Sequence, residues 1–424
     1  MLRRWVALGG RSASVRHLVA ECRRSPLRIA GLSLGVPATL AAAVSSSAVT
    51  AQAEEGGGAG GLRGTIVRAQ PPPTNLLDAD ARWQHTIAAA TPAVVSIKVN
   101  RVRAFDTGSA GSVQATGFVV DAERGYIMTN RHVAGPGPIV AEAIFQSNEE
   151  VPLTVAYYDP VHDFAFFKFD PKALRHMSLT ELPLAPEEAA HTSEIVIIGN
   201  NAGEKLSISR TALARLDRNA PAYSRNGYND FNTFYFHSAS GTTGGSSGSP
   251  VLNQHGQVVA LNAGGKMGTS AAFFLPLERA TRALRRLQEG ARVDRGTLQL
   301  VCTHQTFDEA KRLGLSAQRE AQMRDAFPSQ RGLLVISEVL PEGPAASAGL
   351  QPGDVITHVN GELSSHFVQL EEALDESVGD AVRISICRGG RELEVEAVVD
   401  NLHSLTPSRY LEVWRSTPLP LAPP

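Results

Sequence analysis

Gly244-Gly245-Ser246-Ser247-Gly248-Ser249-Pro250 lies between two apolar runs that read as strands, Phe234-Tyr235-Phe236 and Val258-Val259-Ala260-Leu261. Glycines on both sides of a serine pair predict a tight loop with unusual backbone dihedrals. Such a loop can push a hydroxyl outward while aiming its own amide N–H groups at one point. Acyl transfer needs that geometry, a nucleophile beside a preformed oxyanion hole. Taken alone, the heptad fits a flexible Gly/Ser linker equally well, and residues upstream decide between the two.

Thr129-Asn130-Arg131-His132-Val133 follows an apolar strand-like run and puts a histidine at its end, where catalytic groups are commonly displayed. Asp159-Pro160-Val161-His162-Asp163-Phe164-Ala165 places an acid at the start of another apolar run. Singly, each residue is weak, because an Asp before a strand is usually a turn residue. Together, in the order His132, Asp163, Ser247, they follow the chymotrypsin-type order of a Ser-His-Asp triad. His162 adjoins Asp163, points to the opposite face of a strand, and reads as structural or surface.

Around these residues run short apolar segments broken by turns: 93–99, 116–121, 126–129, 151–158, 164–169, 194–199, 233–237, 257–261 and 272–275. Many short strands at regular spacing predict an all-β sandwich or barrel rather than a βαβ sheet. Residues 276–287 read as a basic, closing helix. Downstream, Gly332-Leu333-Leu334-Val335-Ile336 reads as a strand and Pro344 to Leu350 as a short helix closed by Gly349. Gly353 to Gly361 reads as a strand with an Asn-Gly turn, and 382–398 as a second hairpin around Arg388-Gly389-Gly390.

The chain has 424 residues, which predicts two or three domains, and a net charge of −2 gives no footprint of nucleic-acid or acidic-membrane binding. Its three cysteines, Cys22, Cys302 and Cys387, form neither a disulfide framework nor a metal-ligand spacing. Arginines 3, 4, 11, 16, 23, 24 and 28 against the single acid Glu21 read as an organellar transit peptide. The apolar run 29–44 and Ala51-Gln52-Ala53 then read as the second part of a two-step leader, with an Arg23-Arg24 export signal as the rival. Residues 54–76 read as a Gly/Pro-rich linker.

The blocks around His132, Asp163 and Ser247 resemble the three active-site blocks of HtrA/Deg serine proteases. Phrases such as Val119-Val120-Asp121-Ala122-Glu123-Arg124-Gly125-Tyr126 and Arg215-Leu216-Asp217-Arg218-Asn219-Ala220-Pro221 are most similar to the long, nuclear and pro-apoptotic branch. The resemblance implies a mostly β protein: a leader at 1–53, a chymotrypsin-like double β-barrel protease domain at 77–290, a PDZ domain at 295–400 and a tail at 401–424. It implies an endopeptidase without cofactor or metal. The serine loop departs from the family's usual Asn before and Gly-Gly after the nucleophile, so Ser246 and Ser247 compete, and the resemblance favours Ser247.

It further implies an oxyanion hole from the N–H groups of Gly245 and Ser247. Gly241, six positions before Ser247, would form the base of the pocket for the residue before the cut. Leu261, Asn262, Ala263 and Gly264 would pair with the substrate backbone, and Phe273 would narrow the pocket. Cleavage after small or medium aliphatic residues follows from the absence of an acid at that base. Gly296, Thr297, Leu298 and Gln299 would hold the C-terminal carboxylate of a peptide added at the PDZ sheet edge, although relatives often carry Gly where Gln299 stands. The partners implied are exposed protein segments, such peptides, and a homo-oligomer, with trimer contacts near Trp83. The long branch continues further, so a naturally short member and an early-cut reading frame stay open. The leader predicts a mitochondrion, against a nucleus or plastid lumen.

Overall fold

The computed structural model describes residues 67–68, 79–104, 109–200, 206–221, 230–238, 241, 244–265 and 271–406. The leader, nearly all of the 54–76 linker and the tail from 407 onward lie outside the described residues.

Six strands close the first barrel: β1 (Val94–Arg101), β2 (Gly111–Asp121), β3 (Tyr126–Thr129), β4 (Ile139–Ile144), β5 (Glu150–Tyr158) and β6 (Ala165–Lys168), in the order β1-β2-β3-β6-β5-β4. Strand β1 shows why. Val95, Ile97 and Val99 are fully buried and alternate with half-exposed Ser96, Lys98 and Asn100, a period of two. Phe164, Ala165, Phe166 and Phe167 have no exposed face, so a continuous apolar run becomes a strand covered on both sides.

The second barrel holds β7 (Glu194–Asn200), β8 (Leu206–Asn219), β9 (Phe234–Ser238), β10 (Pro250–Leu252), β11 (Val258–Gly265) and β12 (Ala272–Pro276), in the order β8-β9-β12-β11-β10-β7. Helix α1 (Ala79–Ala90) precedes the first barrel yet packs on the second: Trp83 Nε1 donates to Glu194 at 3.1 Å and Thr86 Oγ1 to the Gln254 carbonyl at 2.8 Å. Trp83 is 2 % exposed and lies under the Arg210 guanidinium, so its indole packs inside the chain. A single helical turn, α2 (Arg131–Ala134), follows β3. Helix α3 (Glu278–Gln288) then returns from the second barrel to the first. It buries Ala280, Ala283 and Leu284 there, and Gln288 bonds Asp121 at 2.8 Å.

The third unit is a sheet in the order β13 (Leu300–Thr306), β14 (Gly332–Val339), β15 (Val355–Val359), β16 (Ala381–Arg388), β17 (Arg391–Val398). Helices α4 (Phe307–Arg312), α5 (Ala317–Ala326), α6 (Pro344–Ser347) and α7 (Phe367–Glu376) accompany it. Strand β13 is the sheet edge, and α7 packs beside it through Leu370 and Leu374. Sequence reading missed β4, β8, β10, β13, α1, α2, α4, α5 and α7. Strand β4 is a short apolar run among Gly and Pro, and α7 mixes acids with leucines without a start signal stronger than His366.

A buried charge cluster joins this unit to the barrels. Arg295, 3 % exposed, pairs with Asp159 at 2.8 Å and with Asp375 of α7 at 2.7 Å, and its Nη2 donates to His162 Nδ1 at 3.1 Å. Arginine only donates, so His162 Nδ1 is the acceptor and its Nε2–H donates to the Phe231 carbonyl at 3.1 Å. His162 is thus a buried, neutral, structural histidine and not a surface one.

Burial alone pushes the Asp159 carboxyl up, but the Arg295 guanidinium and the backbone N–H groups of Val161 and His162 outweigh it and hold it at about 2. Burial also holds His162, His304 and His366 below the usual imidazole range, His366 at about 4.

These directions fix a pH profile. Below about 6.5 the unfolded chain takes up protons on these histidines that the folded chain refuses, so stability is full above that pH and falls as pH drops toward 4. The Asp159 contribution is lost later, between about 4 and 2. Thermal unfolding across this range should show both declines, and a midpoint that is flat from pH 7 to 4 would contradict the first. Arg295→Ala should cost about 3–5 kcal/mol in urea unfolding, because it leaves Asp159 and Asp375 buried without their cation.

Candidate active site

Strand β3 ends at Thr129, and Asn130 follows it with an extended backbone that caps the turn α2 and delivers His132 one residue inside it. Asp163 is fully buried and grips His132 twice. Its Oδ1 accepts the His132 backbone N–H at 2.9 Å and its Oδ2 faces Nδ1 at 2.8 Å. A carboxylate at Nδ1 fixes the tautomer in which Nδ1 carries the proton and Nε2 is the basic nitrogen. Asn130 Nδ2 donates to the Asp163 carbonyl at 2.9 Å, and Arg101 donates to the His132 carbonyl at 2.5 Å. The Asp163 N–H donates to Asp230 Oδ2 at 3.2 Å, and the Tyr235 hydroxyl reaches the same oxygen at 2.5 Å.

The serine loop belongs to the second barrel but is pinned to the first. Thr116 of β2 donates its N–H to the Ser247 carbonyl at 2.8 Å and its Oγ1–H to the Gly245 carbonyl at 2.9 Å. The same Oγ1 accepts the Asn200 N–H at 2.9 Å, and the Thr116 carbonyl accepts from Thr129 Oγ1 at 2.8 Å. Gly245 and Gly248 have φ of 93° and 85°, in the region that favours glycine. At Gly248 a Cβ would also lie 2.0 Å from the Thr116 carbonyl oxygen.

The two serines part company here. Ser246 is 2 % exposed, and Asn262 Nδ2 donates to its hydroxyl at 3.2 Å and to its carbonyl at 2.7 Å. Ser247 stays half-buried.

Other expected positions divide. The backbone of Leu261 pairs with Pro250 and Leu275, and Asn262 exchanges hydrogen bonds with the serine loop through Gly248 N–H and the Ser249 carbonyl. Neither is open to pair with a substrate backbone, which corrects that expectation for Leu261 and Asn262. Ala263 and Gly264 continue β11 past β10; Ala263 sits at the register shift between Asn262 and Gly264, and Gly264 pairs with Phe273 of β12. Gly241 is exposed. Phe273 is buried under the Arg218 guanidinium, 4.2 Å from its ring centroid.

At the PDZ loop, the Gly296 N–H is taken by Asp375 at 2.8 Å and the Gln299 N–H by Thr297 Oγ1 at 2.9 Å. Gln299 sits at φ 59°, where glycine is the easier residue. Two of the amides expected to hold a terminal carboxylate are therefore already satisfied. Among the described residues no group of His, Cys, Asp and Glu could hold a metal ion. Cys302 and Cys387 are buried free thiols. Sequence reading did not single out Thr116 or Asp230, each one polar residue beside an apolar run with no motif to mark it, and it gave Asn262 a substrate-backbone role and not its contact with Ser246.

A trypsin-like peptidase domain family matches residues 115–261, a span that holds His132, Asp163 and Ser247, and a PDZ domain family matches 335–388. Protease Do-like 7 of Arabidopsis thaliana is 48% identical over 363 residues, 83% of this chain and 33% of its own length. Pro-apoptotic serine proteases NMA111 of Vanderwaltozyma polyspora and Coccidioides immitis are 51% and 52% identical over 79% and 80% of this chain. The chain belongs to the HtrA/Deg family. It spans about a third of the length of these curated HtrA/Deg relatives. Among solved structures, an HtrA-type protease AlgW with a tripeptide matches at a TM-score of 0.55 and 22% identity, over 74% of this chain and 96% of that one. A serine endoprotease from Yersinia pestis matches at 0.50 and 20%, over 76% and 98%. At that identity the two structures show the fold: two barrels and a PDZ domain.

Thr116→Val deletes one hydroxyl and leaves the Gly245 carbonyl and the Asn200 N–H without it. Urea unfolding should show a loss of about 1–3 kcal/mol, with Thr116→Ser restoring most of it. Equal losses for the two variants would assign the effect to packing instead.

Proposed function

We propose that this chain is a serine endopeptidase that hydrolyses peptide bonds in exposed segments of other proteins. The observation that carries the reading is the double grip of buried Asp163 on His132, with the serine loop pinned to the same barrel. Ser247 attacks the scissile carbonyl. Its proton passes to His132 Nε2 as the Oγ–C bond forms, and Asp163 stabilises the resulting imidazolium. The N–H groups of Gly245 and Ser247 hold the oxyanion. His132 then gives the proton to the leaving amine, and water repeats the sequence on the acyl-enzyme. Ser247 is preferred to Ser246 as nucleophile because the Ser246 hydroxyl is buried against Asn262.

Cleavage falls after small or medium aliphatic residues, since Gly241 offers no carboxylate to a Lys or Arg. No cofactor takes part. The resemblance supports a homo-oligomer, a trimer, and the near-neutral net charge supports protein rather than nucleic-acid partners. The arginine-rich start supports a processed mitochondrial protein.

Ser247→Ala and His132→Ala should each lower casein cleavage by several orders of magnitude, while Ser246→Ala keeps most of it. A fluorophosphonate probe should label the wild type and not Ser247→Ala. Normal cleavage by Ser247→Ala would sink the assignment, and a peptide-library profile dominated by Arg or Lys would sink the specificity.

A further inference from the structure

The groove of the PDZ domain, between edge strand β13 and helix α7, is filled by residues of the second barrel. Asn232 Nδ2 donates to the Leu300 carbonyl at 3.3 Å, and Asn232 Oδ1 accepts the Cys302 N–H at 2.7 Å. A side-chain amide carries the same C=O and N–H groups as a peptide unit. Its two bonds bracket Val301, reaching the carbonyl before it and the amide after it. A residue of a parallel strand added to a sheet edge makes the same pair of bonds. The amide nitrogen also donates to Glu371 of α7 at 2.9 Å, so one side chain spans the groove from strand to helix. Asn232 stands at φ 51°, a backbone region that asparagine tolerates better than most residues.

Two residues on, Phe234 fills the apolar part. It belongs to the same buried cluster as Leu300, Cys302, Phe367, Leu370 and Leu374. Its ring meets Phe367 edge-on at 4.9 Å, with His366 and His304 at 5.2 and 5.3 Å. At the other end, the Asp375 carboxylate holds the Gly296 N–H at 2.8 Å and pairs with Arg295. The amide, the aromatic side chain and the carboxylate of a bound peptide each have an internal counterpart.

We infer that the segment Asn232–Phe234 is the resident ligand of the PDZ groove, and that an external peptide strand enters only by displacing it. The inference rests on the groove as a strand acceptor and is independent of catalysis. Truncating Phe234 and Asn232 together removes the apolar plug and the amide bridge, which frees the Leu300 carbonyl and the Cys302 N–H for another strand.

The test uses the full chain carrying Ser247→Ala, so that no outcome depends on proteolysis. Hydrogen exchange is read at the Cys302 amide, and capture is read with short fluorescein-labelled peptides randomised at their free C-terminal ends. Without further change, the Cys302 amide should be protected and no peptide retained. Adding Asn232→Ala and Phe234→Ala should raise exchange there by at least about tenfold and permit peptide capture. Peptide capture by the otherwise unsubstituted chain as strong as by the double variant, or exchange at Cys302 that the double variant leaves unchanged, overturns the inference. Should the double variant lose its fold, the otherwise unsubstituted chain decides: a protected Cys302 amide supports the inference, and exchange at the free-peptide rate overturns it.

Discussion

A carboxylate with no exposure is costly unless each of its oxygens finds a partner, and Asp163 has no exposure. His132 supplies a partner to each oxygen, one from its backbone and one from its ring. That requirement fixes where the turn after β3 lies, how far His132 sits inside it, and which ring nitrogen keeps the proton. The backbone of Asp163 is satisfied in turn by Asn130 and Asp230, so the acid is held from four directions before any substrate arrives. The orientation of the His132 ring is thereby settled in the folded state.

The barrels meet at Thr116. One residue of the first barrel bonds the carbonyls of Gly245 and Ser247 in the second and receives the amide of Asn200. Positive φ at Gly245 and Gly248 bends the loop enough to reach it. The same economy recurs between the barrels and the PDZ domain. Arg295 joins Asp159, four residues before Asp163, to Asp375 on α7, while Asn232, two residues after Asp230, bonds β13 and α7. The histidine–aspartate pair and the PDZ groove thus share neighbours on two short segments, 159–163 and 230–234.

Strand content and the chain order of His132, Asp163 and Ser247 were legible because each leaves a local mark, while the two-domain plan came from the family resemblance. Alternation marks a half-buried strand, and glycine marks a loop that needs positive φ. Such marks fade where an element carries few apolar residues, as in β8, or where Gly and Pro crowd a short run, as before β4. His162 was assigned from its neighbour alone. Only the approach of Arg295, 133 positions away, makes it a buried neutral acceptor.

By itself, the sequence determined the chain order of His132, Asp163 and the serine pair, the flexible backbone of the serine loop and the apolar periodicity of both barrels, since these depend on neighbours in the chain. Only the tertiary structure decided that the Ser246 hydroxyl is turned inward, since Asn262, 16 positions away, holds it there. It also decided that the backbones of Leu261 and Asn262 serve the barrel and the serine loop, and that Trp83 packs against its own chain. The filling of the PDZ groove belongs to the same class, because Asn232 meets Leu300 across 68 residues. Hydrogen bonds and burial across such separations depend on how elements pack, and no local pattern of residues encodes that.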